Sequence, residues 1–179
     1  MSKMMASAKV LPLRYWDDPV LSTVCVKIDD SEFGAQLEEF GRELIATMRD
    51  KNGVGLAAPQ VGVAKRVFAM SFPDHETLDP IVVCNPELRF EGSDVPLTEG
   101  CLSMPGVHLQ IIRSSDVWMQ YQRPDGSRVE MPLITKWDSR VAQHEFDHIN
   151  GVFFINRVSR QARRQALREW EKEKHKRGL

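Results

Sequence analysis

The segment that most restricts how this chain can fold is residues 140–151, which read RVAQHEFDHING. Nothing from Val141 to Asn150 breaks a helix, and the Asn-Gly pair at the end of the segment is a good helix stop. The segment therefore predicts a helix on which His144 and His148 lie one turn apart on the same face.

Two imidazoles in this arrangement can bind a single divalent ion. Glu145, about 100° further around the helix, can then act as a general base on a water at that ion. His-Glu-x-x-His is the pattern of metal-dependent hydrolases. The alternative is a helix with two capped or partly buried histidines and a solvated glutamate, and the segment itself contains no third ligand.

The length of 179 residues is enough for one domain with its own core. The 24 basic and 25 acidic residues nearly balance, which argues against a protein that coats nucleic acid or binds a membrane surface. No stretch reaches the roughly 18 apolar residues that a membrane span needs. We therefore expect no membrane partner, and a monomer is our expectation for the oligomeric state.

The cysteines Cys25, Cys84 and Cys101 form no Cys-x-x-Cys pair and are odd in number. Such usage is typical of a reducing compartment. The first nine residues contain two lysines, but no apolar core with a cleavage pattern follows them, so a secretory signal is not expected. The prediction is a cytoplasmic location.

The remaining pattern predicts an α+β fold. Apolar residues from position 33 to 48 recur at helical spacing, with Ser31 or Asp30 as the cap and Asn52-Gly53 as the stop. Because the strands are too short and too close together for βαβ crossovers, the sheets should be mixed or antiparallel and pack around the central metal-binding helix. The predicted strands are 66–71, 80–85, 87–91, 95–102, 116–122 and 127–134.

Two further stretches carry residues suited to a site. Residues 53–62, GVGLAAPQVG, combine small residues with one amide, Gln60, and the glycines let another backbone approach closely. A tight turn with a solvated glutamine also fits this stretch. Residues 99–106, EGCLSMPG, place Cys101 beside a Pro-Gly turn, where it is either an ordinary buried thiol or the missing third ligand.

Together these segments resemble one family. Residues 53–60 (GVGLAAPQ), 99–103 (EGCLS) and 143–148 (QHEFDH) are similar, in order and separation, to the three signature motifs of peptide deformylase. The similarity runs from about residue 11 to residue 158. It implies an α+β catalytic domain over residues 1–158, with a basic helix at 159–179 that is part of the same domain.

The resemblance implies that Cys101, His144 and His148 hold one divalent metal ion, with water in the fourth position. In this family the ion is typically Fe²⁺, which Zn²⁺, Ni²⁺ or Co²⁺ can replace, and the ligand set does not choose among them. By the same similarity, Asp147 and Arg113 form a buried ion pair that braces the helix.

The implied reaction is hydrolysis of the N-formyl group from the initiator methionine of newly made polypeptides, with release of formate. Glu145 would take a proton from the attacking water and return it to the departing amine. The side-chain amide of Gln60 and the backbone N–H of Leu102 would stabilise the oxyanion.

The nascent formyl-methionyl polypeptide would bind as an added strand. Its backbone would pair with the chain near Gly100 and at Val54-Gly55. His108 falls where many relatives have a basic residue that contacts the peptide. The expected walls of the methionine pocket are Val54, Leu97, Trp137, Val141 and the flank of His144.

From Arg157 onward the chain has nine Lys or Arg against three Glu. Ser159 can cap a helix whose apolar residues recur every four positions. A helix of this kind is either a solvated face or a docking surface for an anionic partner such as the ribosome. If it docks on the ribosome, deleting residues 157–179 should weaken that association and spare turnover of small peptides.

Two other functions fit parts of the sequence. A metallopeptidase would share His-Glu-x-x-His but take a downstream third ligand, for which the tail offers only His175 and three glutamates. An RNA- or ribosome-binding module with a structural zinc would need four protein ligands, and the sequence offers three. Formate release from a formyl-Met peptide separates both alternatives from a deformylase.

Overall fold

The computed structural model describes residues 8–75, 77–133 and 135–179. The elements are α1 Ala35–Asp50, β1 Gly55–Ala57, β2 Val67–Met70, β3 Ile81–Gly100, β4 His108–Gln122, β5 Arg128–Leu133, α2 Lys136–Ile149 and α3 Arg160–Arg177. The strands follow one another in the sheet in the order β1-β2-β3-β4-β5, and all four pairs are antiparallel. The predicted α+β fold is confirmed. No helix in the described residues combines the length and the apolar character that crossing a bilayer requires.

Strand β3 is the main difference from the predicted strands. The segments predicted separately at 80–85, 87–91 and 95–102 form one strand, which pairs with β4 along most of its length. Pro86 and Gly92 lie at the two register shifts of this pair. They mark bulges and not chain reversals, because a bulge accepts a proline or a left-handed glycine without ending the ladder. The strand predicted at 127–134 is β5, and its last predicted residue lies outside the described residues.

Helix α1 begins later than predicted. Asp30–Glu32 forms a separate 3₁₀ turn, and Gly34, at φ 116°, is the N-cap of the helix. The predicted caps, Ser31 and Asp30, are therefore both wrong. The chain enters the helix through a positive φ, which glycine adopts readily. The predicted stop is confirmed, since the helix ends at Asp50 and Asn52 follows in the left-handed region at φ 55°.

Helix α2 carries both histidines of the central motif and begins at Lys136. Thr135 caps it, because its side chain accepts a hydrogen bond from the backbone N–H of Asp138. The helix ends as predicted at Asn150 and Gly151. It packs against β1, β2 and β4, so its inner face lies beside the end of β3.

Helix α3 is docked on the rest of the protein. Ser159 caps it as predicted, and Ala166 and Trp170 are fully buried. Trp170 stacks on Tyr15 with 6.1 Å between the ring centroids and belongs to the same core cluster as Cys101. Deleting residues 157–179 would expose this core. The packing therefore does not support the expectation that the deletion spares the turnover of small peptides.

Candidate metal centre

The thiol and the two imidazoles of the sequence motifs converge at one point. Cys101 directly follows β3, and His144 and His148 lie on α2. Their potential ligand atoms are all within 4.8 Å of one another, and the Sγ of Cys101 is 3.2 Å from the Nε2 of His148. Within the described residues, no other group of three or more such side chains is close enough to hold an ion.

The donor set fits a divalent transition metal. A thiolate and two imidazoles are suitable ligands, and three protein ligands leave one position of a tetrahedral site open. Burial opposes a charge on His144, but hydrogen bonds with Cys101 and Glu99 raise its pKa well above the usual value. Burial and the charge of His144 lower the pKa of His148 well below the usual value, so this ring is neutral and offers a lone pair.

Glu99 belongs to the site, although the sequence analysis assigned it no role. Its buried Oε2 accepts a hydrogen bond from the Nδ1 of His144 at 3.0 Å. Burial would raise its pKa, but hydrogen bonds from His144 and Arg113 hold it well below the usual range. The carboxylate is therefore ionised and can only accept, so Nδ1 carries the proton and Nε2 of His144 is the atom available to bind an ion.

A sequence signal for Glu99 existed in its spacing from Cys101. Side chains two residues apart at a strand end point to the same face. Glu99 contacts His144 and Cys101 contacts His148, so both side chains face α2.

A network of buried charges holds Glu99. Arg113 on β4 donates from Nε to Oε1 at 2.7 Å and from Nη2 to Oε2 at 3.0 Å. Arg140 on α2 donates from Nη1 to Oε1 at 2.6 Å. The Nη1 of Arg113 also donates to Asp147 at 2.7 Å, so the ion pair that the resemblance implied is present, and Arg157 pairs with the same carboxylate from the surface. The network ties both long strands to the helix that carries the histidines.

Glu145 lines the cavity beside the ligands and is 3% exposed. Gly55 makes room for it, because a Cβ at that position would overlap the Glu145 carboxylate. Burial raises the pKa of Glu145 to about 7. Its Oε2 has no hydrogen-bond partner in the described part of the chain. A carboxyl group in this state can exchange a proton with water near neutral pH.

The amide of Gln60 has a defined orientation. Its Oε1 accepts a hydrogen bond from the backbone N–H of Ala57 at 2.8 Å. Its Nε2 therefore points at the Sγ of Cys101, 3.5 Å away, and at the Oγ of Ser103, 3.2 Å away. Gln60 is 1% exposed, so the alternative of a solvated glutamine in a turn is wrong. Ser103, which the sequence analysis did not single out, accepts a hydrogen bond from the same Gln60 amide.

A cavity of about 330 Å³ lies beside the candidate metal centre, and its wall includes Cys101, His144 and Leu102. Leu97 is not among its lining residues, whereas the neighbouring Thr98 is. The other residues predicted to contact the substrate do line it: Val54, Gly55, Gly100, Trp137 and Val141.

Comparisons with known proteins agree with this geometry. A family model described as polypeptide deformylase matches residues 10–164. Over 155 residues the chain is 39% identical to a peptide deformylase from Picosynechococcus sp., which covers 83% of this chain and 79% of that protein. Over 158 residues it is 39% identical to a peptide deformylase from Thermotoga petrophila, which covers 88% of this chain and 92% of that one.

Solved structures with the same name share the fold. A peptide deformylase from Legionella pneumophila superposes with a TM-score of 0.87 at 29% identity, over 95% of this chain and 98% of that one. One from Synechococcus elongatus, solved in complex with actinonin, gives 0.82 at 32% identity, over 96% and 94% of the two chains. This chain therefore belongs to the peptide deformylase family, the metal-dependent hydrolases that remove the N-formyl group from newly made polypeptides.

Proposed function

We propose that this chain removes the formyl group at a divalent ion held by Cys101, His144 and His148. The observation that carries the proposal is the convergence of one thiol and two imidazoles within 4.8 Å beside a cavity. Three ligands match a catalytic site with an open position, whereas a structural site would be closed by a fourth. The metallopeptidase alternative loses support, because His175 lies near the exposed end of α3 and belongs to no metal-binding group in the described residues.

We propose Fe²⁺ as the native ion, with Zn²⁺, Ni²⁺ or Co²⁺ as substitutes. A mixed thiolate and imidazole set is suited to all four, so the resemblance to the family supports iron and the ligand chemistry does not. When bound, the ion supplies a positive charge that acidifies water and polarises the formyl oxygen. Metal analysis of protein purified without oxygen tests the assignment.

Glu145 is the proposed general base and acid. It lines the cavity, its Oε2 has no partner among the described residues, and burial holds its pKa at about 7. A carboxyl group with that pKa accepts a proton from the attacking water and returns it to the departing amine at little cost near neutral pH.

Gln60 and the backbone N–H of Leu102 are the proposed donors to the oxyanion. The contact with Ala57 fixes the Gln60 amide with its N–H groups on the side of Cys101. Leu102 directly follows that cysteine and lines the same cavity. Donors held in place before the reaction stabilise the negative charge without having to reorganise.

The formylated peptide is proposed to lie in the 330 Å³ cavity as an extended strand. Strand β1 is the edge of the sheet, so the backbone at Val54-Gly55 has one side available for pairing, and Gly100 offers another edge. Trp137 and Val141 supply apolar surface for the methionine side chain, and Trp137 and Val54 are 36% and 48% exposed. Leu97 does not line the cavity, so it is not proposed as a wall of the methionine pocket.

The test of the reaction is formate release from formyl-Met-Ala-Ser, measured alongside the metal content. We expect Glu145→Gln to keep the ion and lose about 10²- to 10⁴-fold in turnover. Cys101→Ala should lose the ion. Cys25→Ala is the matched control, because Cys25 is also a buried free thiol but lies in another core cluster. Metal and activity that both survive in Cys101→Ala would overturn the ligand assignment.

We further propose that α3 docks on the ribosome through its exposed basic side. Arg164, Arg168 and Lys172 are exposed and lie on the side of α3 opposite to the buried Trp170. Because the helix is part of the core, the test reverses these three charges to glutamate and keeps the helix in place. Arg42→Glu with Arg49→Glu and Lys51→Glu, all exposed on or just after α1, controls for the same change in net charge. Unchanged co-sedimentation of the α3 variant with ribosomes would reject the docking.

The organisation of the chain is proposed to be one domain, with catalysis in residues 1–158 and the helix at 159–179 packed into the same core. The burial of Trp170 beside the cluster that contains Cys101 supports this. A cytoplasmic monomer is proposed as well, and the three free thiols fit a reducing compartment.

A further inference from the structure

Arg140 is a buried arginine whose guanidinium donates three hydrogen bonds. It lies on α2 one turn before His144 and is 3% exposed. Its Nη1 donates to Glu99 Oε1 at 2.6 Å and to the backbone carbonyl of Ile111 at 2.9 Å. Its Nη2 donates to the backbone carbonyl of Val95 at 2.6 Å. One guanidinium therefore links the metal-binding helix to β3, to β4 and to Glu99.

The Glu99 carboxylate is held with each oxygen in a different role. Oε1 accepts from Arg140 and from the Nε of Arg113, so it is occupied by two guanidinium groups. Oε2 accepts from the Nη2 of Arg113 and from the Nδ1 of His144. With Oε1 held on both sides, the carboxylate cannot turn about its own axis, and Oε2 keeps a fixed direction towards the imidazole.

Two residues of α2 fix the position of the Glu99 carboxylate. Arg140 and Asp147 lie four residues before and three residues after His144, so all three share one face of α2. Arg140 holds Glu99 directly, whereas Asp147 holds Arg113, which in turn holds Glu99. The position of the carboxylate is thus defined from the same helix that carries the ring it orients.

We propose that Arg140 is a positioning residue for the reaction: through Glu99 it sets the direction of the His144 ring and hence of the Nε2 that binds the metal. This inference rests on the proposed metal site. Outer hydrogen bonds of this kind orient a ligand and tune its basicity, and their loss typically costs about 10- to 100-fold in metal affinity or activity. Arginine suits the task because its planar fork reaches a carboxylate and two carbonyls at once.

The test uses Arg140→Lys and Arg140→Met in the full chain. Lysine keeps the charge but has a single donor centre, so it cannot hold Glu99 and both carbonyls together. Methionine keeps the apolar stem and removes every donor. Arg157→Lys is the matched control, because Arg157 belongs to the same network but contacts Asp147 and not Glu99. If the methionine variant fails to fold, the lysine variant carries the test.

Three readouts are needed: Co²⁺ titration of the metal-free protein followed by thiolate-to-cobalt charge-transfer and ligand-field absorption, kcat and KM for formyl-Met-Ala-Ser on the fully loaded protein, and urea unfolding. We expect cobalt affinity to fall about 10-fold in the lysine variant and up to about 100-fold in the methionine variant. Shifted ligand-field bands and a lower kcat at unchanged KM should accompany that loss. Arg157→Lys should match the wild type in affinity, spectrum and kcat.

Two results would overturn the inference. If only the urea midpoint changes, Arg140 supports the fold and nothing more. Because Arg140 also borders the cavity, a raised KM at unchanged kcat and an unchanged cobalt spectrum would make it a substrate contact. Failure of the proposed function looks different, since the wild type itself would then give no thiolate-to-cobalt band or release no formate.

Discussion

The metal centre and helix α3 carry charge in opposite ways. At the metal centre, Glu99, Arg113 and Asp147 are each at most 6% exposed, and charged partners surround them. On α3 the basic residues are mostly exposed, and the part of the helix that is buried is apolar. A charge taken out of water is costly unless its partners are in place, whereas a charge left in water needs no partner. The first region should therefore tolerate far less change than the second.

The largest effect is expected for Arg113→Met. The change leaves Glu99 and Asp147 each without one buried partner, and such a loss costs about 3–5 kcal/mol of unfolding free energy. Urea unfolding measures it. Arg157→Met, which removes a partner of Asp147 that is 47% exposed, should cost much less. Equal losses for the two variants would break the comparison between buried and exposed charge.

The apolar side of α3 should behave like core. Trp170→Ala removes a large side chain that is 1% exposed, which we expect to cost about 3–4 kcal/mol. Trp170→Phe is the control, because the Nε1 of this tryptophan has no hydrogen-bond partner within the described residues and a smaller ring still fills most of the space. A loss under about 1 kcal/mol for the alanine variant would show that α3 is only loosely attached.

A pH-dependent effect is expected for Glu145→Gln in the metal-free protein. The pKa of Glu145 is raised from 4.5 to about 7 in the folded state. Below the unfolded pKa both states hold the proton and the carboxyl group has no cost. Between pH 4.5 and about 7 the unfolded chain ionises while the folded protein still holds the proton, so the wild type loses stability over this range, and the loss is complete above about pH 7.

The glutamine variant does not titrate, so it should become more stable than the wild type by about 3 kcal/mol above pH 7, because a tenfold change in proton affinity corresponds to about 1.4 kcal/mol. Below about pH 4 the two proteins should be equal. Urea unfolding across this range measures the difference. A gap that is constant with pH would contradict the raised pKa.

The smallest effect is expected at the exposed end of α3. Arg177 pairs with Glu173 at 3.2 Å, and its side chain is 46% exposed. Arg177→Ala should change the unfolding free energy by at most about 0.5 kcal/mol, because water and salt screen such a pair. Thermal unfolding of both proteins at low and at high salt measures this change. A loss of unfolding free energy as large as that of Arg113→Met would contradict the distinction between the metal centre and α3.

The sequence predicts three strands where the structure has the single strand β3, and the cause of this difference is local. Pro86 and Gly92 are turn formers by composition, and the sequence alone does not tell a bulge within a strand from a turn between two strands. Pairing with β4 decides it, because the ladder continues on both sides of each register shift. In the same way Gly34, and not a polar side chain, starts α1, since the direction of the preceding turn requires a positive φ.

The site residues also differ in whether the sequence alone predicts their place in the site. His144, Glu145 and His148 were predictable because they lie within one turn of one helix, where spacing alone defines their geometry. Gln60 and Cys101 were candidates in their own stretches, and only the family resemblance joined them to the helix. Glu99 and Arg140 were missed, because a buried carboxylate and a buried guanidinium look like surface charges until their partners are known.

By itself the sequence determined the local elements of this protein: the helix that presents two imidazoles, its Asn-Gly stop, the cap of α3, and the chemical types available for binding a metal. Those follow from side-chain chemistry and spacing over a few residues. The tertiary structure alone decided that the sulfur of Cys101 reaches the Nε2 of His148 across 47 positions of the chain, and that Glu99 contacts Arg140 across 41. The pairing of β3 with β4 and the packing of α2 create these contacts, and no local propensity encodes them.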